Sequence, residues 1–207
     1  MTHILHLDSS ARGDASHSRQ ISREFVQAWL RAYPGDTVTY RDLGHQTIPF
    51  VTEEFITAMY TPAEARTPEQ RSLLALSDEL VAELRAADLY VFGVPMYNLS
   101  VPAVFKAYVD QIVRANETWD TDTHEGLLKN KKAVFLTARG GGGYGPGGAR
   151  EAYNFEDPYL RAAFGFVGVT DQTFIHVNNT MRGDDVVNGS LDEARGQIQA
   201  LVAASVG

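Results

Sequence analysis

The chain has 207 residues, a length that suits one domain with a full hydrophobic core. Its formal charge of −8 and isoelectric point near 5.2 argue against a nucleic-acid partner, which would require a basic face. Because the chain contains no cysteine, disulfides, thiolate metal sites and cysteine nucleophiles are excluded. No apolar run approaches the ~20 residues that span a membrane. The chain begins with a strand pattern rather than a targeting segment, so we expect a cytoplasmic protein.

Predicted strands and helices alternate from the first residues onward. A strand is predicted at 4–8, and a helix with one apolar stripe at 18–33. An edge strand with alternating side chains follows at 37–43. Residues 44–66 are rich in loops, with a weak helix near 53–59. This part of the chain therefore predicts two strands that flank a long helix.

The middle of the chain contains the most apolar predicted strand, at 89–94. A capping box with proline at the first helical position, residues 67–70, begins the helix before it. Pro95 has no N–H and is expected to end the ladder of the strand. A helix at about 102–114 and a polar excursion over 116–132 follow. The apolar residues of the helix before the strand are Leu73, Leu76, Leu80 and Leu84.

The last third repeats the alternation, with strands at 133–137 and 173–177 and helices at 158–166 and 191–204. Alternating strands and helices predict a parallel, doubly wound α/β sheet. Five strands in this sequence suit the flavodoxin-like arrangement, with strand order 2-1-3-4-5. We expect residues 1–207 to form one domain, since no internal repeat or linker interrupts the pattern.

Three unusual loops follow the first, third and fourth strands, and in this topology they lie along one rim of the sheet. The first loop, residues 9–18, has four serines and an arginine before a helix. A helix N-terminus offers unpaired N–H groups and partial positive charge, so this loop predicts a phosphate site. The alternative is that Ser16 or Ser18 is simply the N-cap.

The second and third loops suit a flat ring. Pro95-Met96-Tyr97-Asn98 supplies aromatic and amide groups for a planar, hydrogen-bonding heterocycle, although it can equally be an ordinary turn. Residues 138–145 include four consecutive glycines, which let backbone N–H groups approach a ring closely. The alternative there is a mobile surface loop. A dinucleotide fingerprint is disfavoured, because the glycines follow a late strand and no helix starts at once.

Other chemistries find little support in the sequence. The six histidines lack metal-ligand spacing, and no nucleophile elbow or Walker A motif is present. The acidic stretch at 120–125 resembles a calcium loop, but Glu125 stands where an EF-hand needs glycine. We therefore predict no metal site.

Together these motifs resemble the FMN-dependent NADH:azoreductases and quinone reductases of the flavodoxin-like fold, over nearly the whole chain. The shared motifs are Ser-Ser in the first loop, Ser-x-Ser before the first helix, Pro-Met-Tyr-Asn, the Lys-Lys-Ala strand at 131–137, Arg-Gly-Gly, and Gly-Phe-x-Gly-x-Thr-Asp at 165–171. The chain departs at Ala138, where members often have serine, and in the extended glycine run after Gly141.

The resemblance implies a tightly bound FMN. Its phosphate would be held by Ser10, Ser16, His17 and Ser18. Its isoalloxazine ring would contact Met96, Tyr97, Asn98 and Leu99. The pyrimidine side of the ring would contact Ala138, Arg139, Gly140 and Gly141.

The implied activity is ping-pong hydride transfer from NADH or NADPH to a quinone or azo compound, with no dedicated catalytic residue. Arg12 and Arg139 could each serve a cofactor or a salt bridge, so the preferred nicotinamide stays open. The resemblance also implies a homodimer, in which Trp119 lines the substrate pocket and faces the partner's flavin. Ordinary packing explains Trp119 equally well, and it is the better explanation of the weaker pocket candidates, Phe50, Tyr144 and Phe166.

Two other functions can be weighed against this one. A flavodoxin-type electron carrier would share the fold and cofactor, but it would not need the excursion at 116–131 or the loop at 44–66. A nucleotide-binding or phosphoester-hydrolysing protein could use the serine loop. That possibility is disfavoured, because the sequence offers no nucleophile–base pair and no metal ligands.

Overall fold

The computed structural model describes residues 1–205, which are built around a five-stranded parallel sheet. The observed strand order, β2-β1-β3-β4-β5, confirms the predicted flavodoxin-like topology. Every neighbouring pair of strands runs parallel. The strands are β1 (His3–Asp8), β2 (Thr37–Asp42), β3 (Leu89–Pro95), β4 (Lys132–Ala138) and β5 (Asp171–Val177).

Helices cover both faces of the sheet. The helices are α1 (His17–Ala32), α2 (Glu53–Tyr60), α3 (Pro68–Ala86), α4 (Ala103–Ile112), α5 (Glu156–Phe166) and α6 (Asp184–Ala204). In β3, Leu89 and Val91 pack with α1 and α6, whereas Tyr90 and Phe92 pack with α3, α4 and α5. Both faces of β3 are therefore buried, as its apolar sequence predicted.

Pro95 is the last residue of β3, as expected, although it is still paired with β4. It pairs in register with Ala138, and the Met96 N–H donates to the Ala138 carbonyl at 2.9 Å. Alternate residues of a central strand bond to opposite neighbours, and the Gly93 carbonyl accepts the Ser9 N–H on the β1 side. The missing N–H of Pro95 therefore lies on the β1 side, where the register with β3 ends at Asp8 and Gly93.

Two helices also differ from the sequence prediction. In α3, Leu73 is 46% exposed and Leu74 occupies the core instead. Hydrophobic spacing misplaced this stripe because Ser77 is buried within it, where its hydroxyl donates to the Gln111 carbonyl. The C-terminal helix begins at Asp184 rather than at 191, with two aspartates in a first turn that favours negative charge. None of the described helices is long and apolar enough to cross a membrane.

Candidate active site

Hydrogen bonds at the carboxyl edge of the sheet join the first two of the three loops, and join the second loop to the end of β4. We call them loop 1 (residues 9–16), loop 2 (residues 96–102) and the glycine loop (residues 139–150). The Tyr97 hydroxyl of loop 2 lies 3.3 Å from both the Ser10 Oγ and the Ala11 nitrogen of loop 1. The Met96 N–H ties loop 2 to the end of β4. Loops 1 and 2 therefore meet in the fold, and the glycine loop begins one residue after the β4 residue to which loop 2 is bonded.

Loop 1 leads into α1 through buried serines. Ser16 is the N-cap, and its Oγ accepts from the Arg19 N–H at 3.5 Å, so the capping alternative holds for this residue. Its Oγ also lies 3.2 Å from the Ser18 Oγ. Within residues 1–205, the N–H groups of His17 and Ser18 donate to no protein acceptor. Capping therefore leaves these two donors of the helix terminus available to an anion.

Loop 2 contains a tight turn with unfavourable backbone angles. Tyr97 and Ser100 exchange two backbone hydrogen bonds, of 2.9 and 3.2 Å. The two residues between them, Asn98 and Leu99, have φ values of 49° and 77°. Positive φ at both central residues is typical of a two-residue type I′ turn, in which asparagine is common and leucine is strained. Both side chains are exposed at the carboxyl edge.

The glycine loop starts as paired backbone. The carbonyls of Arg139, Gly140 and Gly141 accept N–H groups from residues 179–181, which follow β5. A Cβ on Gly140 would lie 2.9 Å from the Met181 sulfur, and one on Gly141 would lie 2.1 Å from an Arg150 nitrogen. Among the described residues, the N–H groups of Gly140 and Gly141 have no acceptor. This segment is therefore close-packed backbone that leaves two N–H groups available to a ligand.

Arg139 directs its side chain away from that surface. Its Nε donates to Glu156 at 2.9 Å, its Nη2 donates to Asp157, and it is almost fully buried. Burial raises the pKa of Glu156 to about 8, although the Arg139 charge opposes this shift. The Arg139 guanidinium therefore forms a salt bridge, one of the two roles that the sequence left open. Only the Arg139 backbone faces the surface of the glycine loop.

The aromatic candidates do not all lie at this edge. Helix α4 runs back from the carboxyl edge, so the excursion after it lies at the amino edge of the sheet. There the Trp119 ring packs on Phe166, with centroids 5.5 Å apart, and stacks on His124. Tyr144 belongs to the glycine loop at the carboxyl edge, and its hydroxyl lies 3.6 Å from the Cβ position of Gly141. Phe50 is 75% exposed.

Sequence reasoning missed a polar cluster beneath loop 1. Asp8, at the end of β1, accepts hydrogen bonds from the Ser22 hydroxyl at 2.7 Å and the Tyr40 hydroxyl at 3.1 Å. Burial raises the pKa of Asp8 to about 6 and lowers that of His6 to about 4. The available signal was the pair of polar residues, His6 and Asp8, within an otherwise apolar strand.

Comparisons with known proteins agree with this geometry. Residues 2–202 match the family described as having a flavodoxin-like fold. An FMN-dependent NADH:quinone oxidoreductase of Nostoc punctiforme is 51% identical, covering 98% of this chain and 99% of the relative. An FMN-dependent NAD(P)H:quinone oxidoreductase of Pseudomonas aeruginosa is 41% identical, covering 99% and 100%.

A solved structure gives the same result. The crystal structure of an azoreductase from Bacillus anthracis matches this fold with a TM-score of 0.85 at 26% identity, covering 97% of this chain and 100% of that one. The chain belongs to the flavodoxin-like family of FMN-dependent NADH:quinone oxidoreductases.

Proposed function

We propose that this protein is an FMN-dependent NAD(P)H oxidoreductase that reduces quinones and azo compounds by ping-pong two-electron transfer. Family membership supports this activity, as do the names of the quinone oxidoreductases and azoreductases it resembles. The observation that carries the proposal is that the Tyr97 hydroxyl of the aromatic turn contacts loop 1, which leads into a helix N-terminus with two N–H groups unpaired among the described residues. When bound, FMN supplies the redox chemistry, taking a hydride from NADH or NADPH and giving two electrons to the acceptor.

The residues at the carboxyl edge fit FMN. The spare N–H groups of His17 and Ser18 would bind the phosphate, together with the hydroxyls of Ser10, Ser16 and Ser18. A helix terminus can hold a dianion even in a protein with a net charge of −8, because its donors and dipole act locally. The isoalloxazine ring would contact Met96, Tyr97, Asn98 and Leu99.

The glycine loop would face the pyrimidine side of the ring through Ala138, Arg139, Gly140 and Gly141. Reduction places negative charge on that side of a flavin, and the spare N–H groups of Gly140 and Gly141 would stabilise it. Ala138 cannot supply the hydrogen bond that serine gives in many members. Because the cofactor does the chemistry, we propose no dedicated catalytic residue.

We further propose a homodimer, in which Trp119 of one chain lines the substrate pocket of the other. Its position at the amino edge, beside Phe166, supports this role, since it is remote from the three loops of its own chain. A single FMN-binding domain over residues 1–207 and a cytoplasmic location complete the proposal. The absence of cysteine is compatible with a reducing compartment.

Steady-state kinetics would test the activity. Purified protein with FMN should oxidise NADH rapidly when a quinone is present. Double-reciprocal plots at several fixed quinone concentrations should give parallel lines, as ping-pong transfer requires. Bound FMN with negligible NADH oxidation would contradict the proposal and indicate an electron carrier instead.

A further inference from the structure

Arg19 is a buried cation next to the proposed phosphate site, in the first turn of α1. It is 4% exposed, and all five of its guanidinium N–H groups have acceptors. Two of them donate to the Ser10 carbonyl, at 3.1 Å from Nε and 2.6 Å from Nη2. The others reach Asp42 and the Tyr40 hydroxyl. An arginine with no spare donor cannot itself bind a phosphate, so its effect on the site must be indirect.

The indirect effect is the orientation of one peptide. In a trans peptide the C=O and the following N–H point in opposite directions. Arg19 holds the Ser10 carbonyl inward, so the Ala11 N–H turns outward, towards the Tyr97 hydroxyl 3.3 Å away. The Ser10 hydroxyl lies at the same junction. Pinning one carbonyl therefore fixes a donor on the surface where loop 1 meets loop 2.

Asp42 and Gly44 anchor this arrangement from the end of β2. Asp42 accepts from both terminal nitrogens of Arg19, a two-pronged contact that sets the plane of the guanidinium. A Cβ on Gly44 would lie 2.0 Å from the Ser10 carbonyl oxygen and 2.4 Å from Arg19 Nη2. Any side chain at position 44 would therefore displace the peptide that Arg19 holds.

We propose that Arg19 is a positioning residue for the FMN phosphate: by holding the Ser10 carbonyl it fixes Ser10, whose hydroxyl belongs to the proposed phosphate site, without touching the ligand. This inference rests on the proposed FMN site. Asp42 fixes the guanidinium, and Gly44 leaves room for the pinned carbonyl. Arg19 should therefore affect the binding of a flavin that carries a phosphate, whereas a residue that only stabilises the fold would affect all flavins equally.

Comparing FMN with riboflavin, which lacks the phosphate, tests the inference. Affinities are measured by quenching of flavin fluorescence on titration with protein, with thermal melting of the apoprotein alongside. Arg19→Met should weaken FMN binding about tenfold and leave riboflavin binding within about twofold of the wild type. Gly44→Ala retains Arg19 but displaces the Ser10 carbonyl, so it should also weaken FMN binding more than riboflavin binding. Gly35→Ala is the matched control, since its added Cβ would meet only Met1, at 3.9 Å.

The outcomes separate this inference from the proposed function. Equal losses of FMN and riboflavin in Arg19→Met would show a merely structural role and overturn the inference. Should Arg19→Met fail to fold, Gly44→Ala decides, and an unchanged FMN preference there overturns it. A wild type that does not bind FMN would overturn the proposed function as well. A wild type that prefers FMN, with both variants retaining that preference, would overturn the positioning role alone.

Discussion

Polar contacts tie together the carboxyl edge of the sheet, whereas aromatic rings cluster at its amino edge. At the carboxyl edge, buried serines, Asp8 and Arg19 lie beneath loops that already contact one another. At the amino edge, Trp119, His124 and Phe166 pack on each other, and Phe166 is 45% exposed. The first edge has the donors that a charged cofactor requires. The second offers a partly exposed apolar surface, which suits a contact with a second copy.

Under the proposed function, this difference means that one chain supplies the donors of the cofactor site and a second copy completes the substrate pocket. The donors proposed for the phosphate and the pyrimidine side all lie at the carboxyl edge. Four of these donors are backbone N–H groups, those of His17, Ser18, Gly140 and Gly141, whose positions depend on the fold rather than on side-chain rotamers. The following predictions test whether the two edges have these separate roles.

The largest expected effect comes from placing a negative charge at the phosphate site. Ser16→Asp keeps a good N-cap, so α1 should stay folded. Its carboxylate should oppose the FMN phosphate by about 4 kcal/mol, roughly a thousandfold in Kd, as for like charges ~4 Å apart near a protein surface. Ser16→Asn is the neutral control with similar capping. Equal FMN affinities in the two variants, measured by fluorescence titration, would remove the phosphate from this edge.

The second prediction concerns the pH dependence of stability beneath loop 1. The raised pKa of Asp8, about 6, means that the folded chain keeps a proton that the unfolded chain releases, so this contribution stabilises the fold at pH 4 and is lost as pH rises through 6. The lowered pKa of His6, about 4, has the opposite effect, destabilising the fold as pH falls below 6.5. The two slopes should largely cancel in the wild type.

Replacing His6 exposes the slope due to Asp8. His6→Asn should gain about 3 kcal/mol of unfolding free energy relative to the wild type when pH falls from 6.5 to 4. Urea denaturation at the two pH values measures this change. Asp8→Asn is the reciprocal control and should shift the difference in the opposite direction. A constant difference between His6→Asn and the wild type would mean that His6 is not held neutral by burial.

Two substitutions at Asn98 separate the shape of the loop 2 turn from its side chain. Asn98→Ala should lose about 1 kcal/mol of stability, because alanine tolerates a φ of 49° poorly, whereas Asn98→Gly should keep the turn. Both should weaken FMN binding about tenfold, since both remove the amide. Chemical denaturation and flavin titration check the two effects. Full FMN affinity in Asn98→Gly would exclude an amide contact.

The smallest effect is expected at the amino edge. Trp119→Ala should raise the KM for a quinone about fivefold through lost ring contacts, while the FMN Kd stays within about twofold. Trp119→Phe retains a ring and should restore most of the KM. Sedimentation of each variant shows whether the dimer persists. A large loss of FMN affinity with an unchanged KM would reverse the roles of the two edges.

The sequence predicted the parts of the fold that depend on local pattern. The buried strand at 89–94 and the alternation around it were sufficient for the topology. The capping box was confirmed atom by atom, with Thr67 and Gln70 exchanging hydrogen bonds of 3.0 and 3.3 Å. The three loops could be grouped because parallel strands place their carboxyl ends together.

Long-range polar contacts could not be predicted in this way. Ser77 is buried because a carbonyl of α4 accepts its hydroxyl, and nothing near it in sequence indicates that partner. Arg19 was not singled out in the sequence, because its partners Asp42 and the Ser10 carbonyl are distant from it along the chain. The left-handed turn at residues 98–99 was not predicted either, because leucine stands at position 99 where the usual Asn-Gly signal has glycine.

One spectroscopic titration tests the central claim most directly: absorbance of the purified protein with added FMN, then anaerobic NADH, then a quinone. We expect a protein-bound flavin band that bleaches with NADH and returns with quinone. A bound flavin that NADH cannot bleach would contradict the oxidoreductase activity. Failure to bind flavin at all would contradict the assignment of the carboxyl edge as an FMN site.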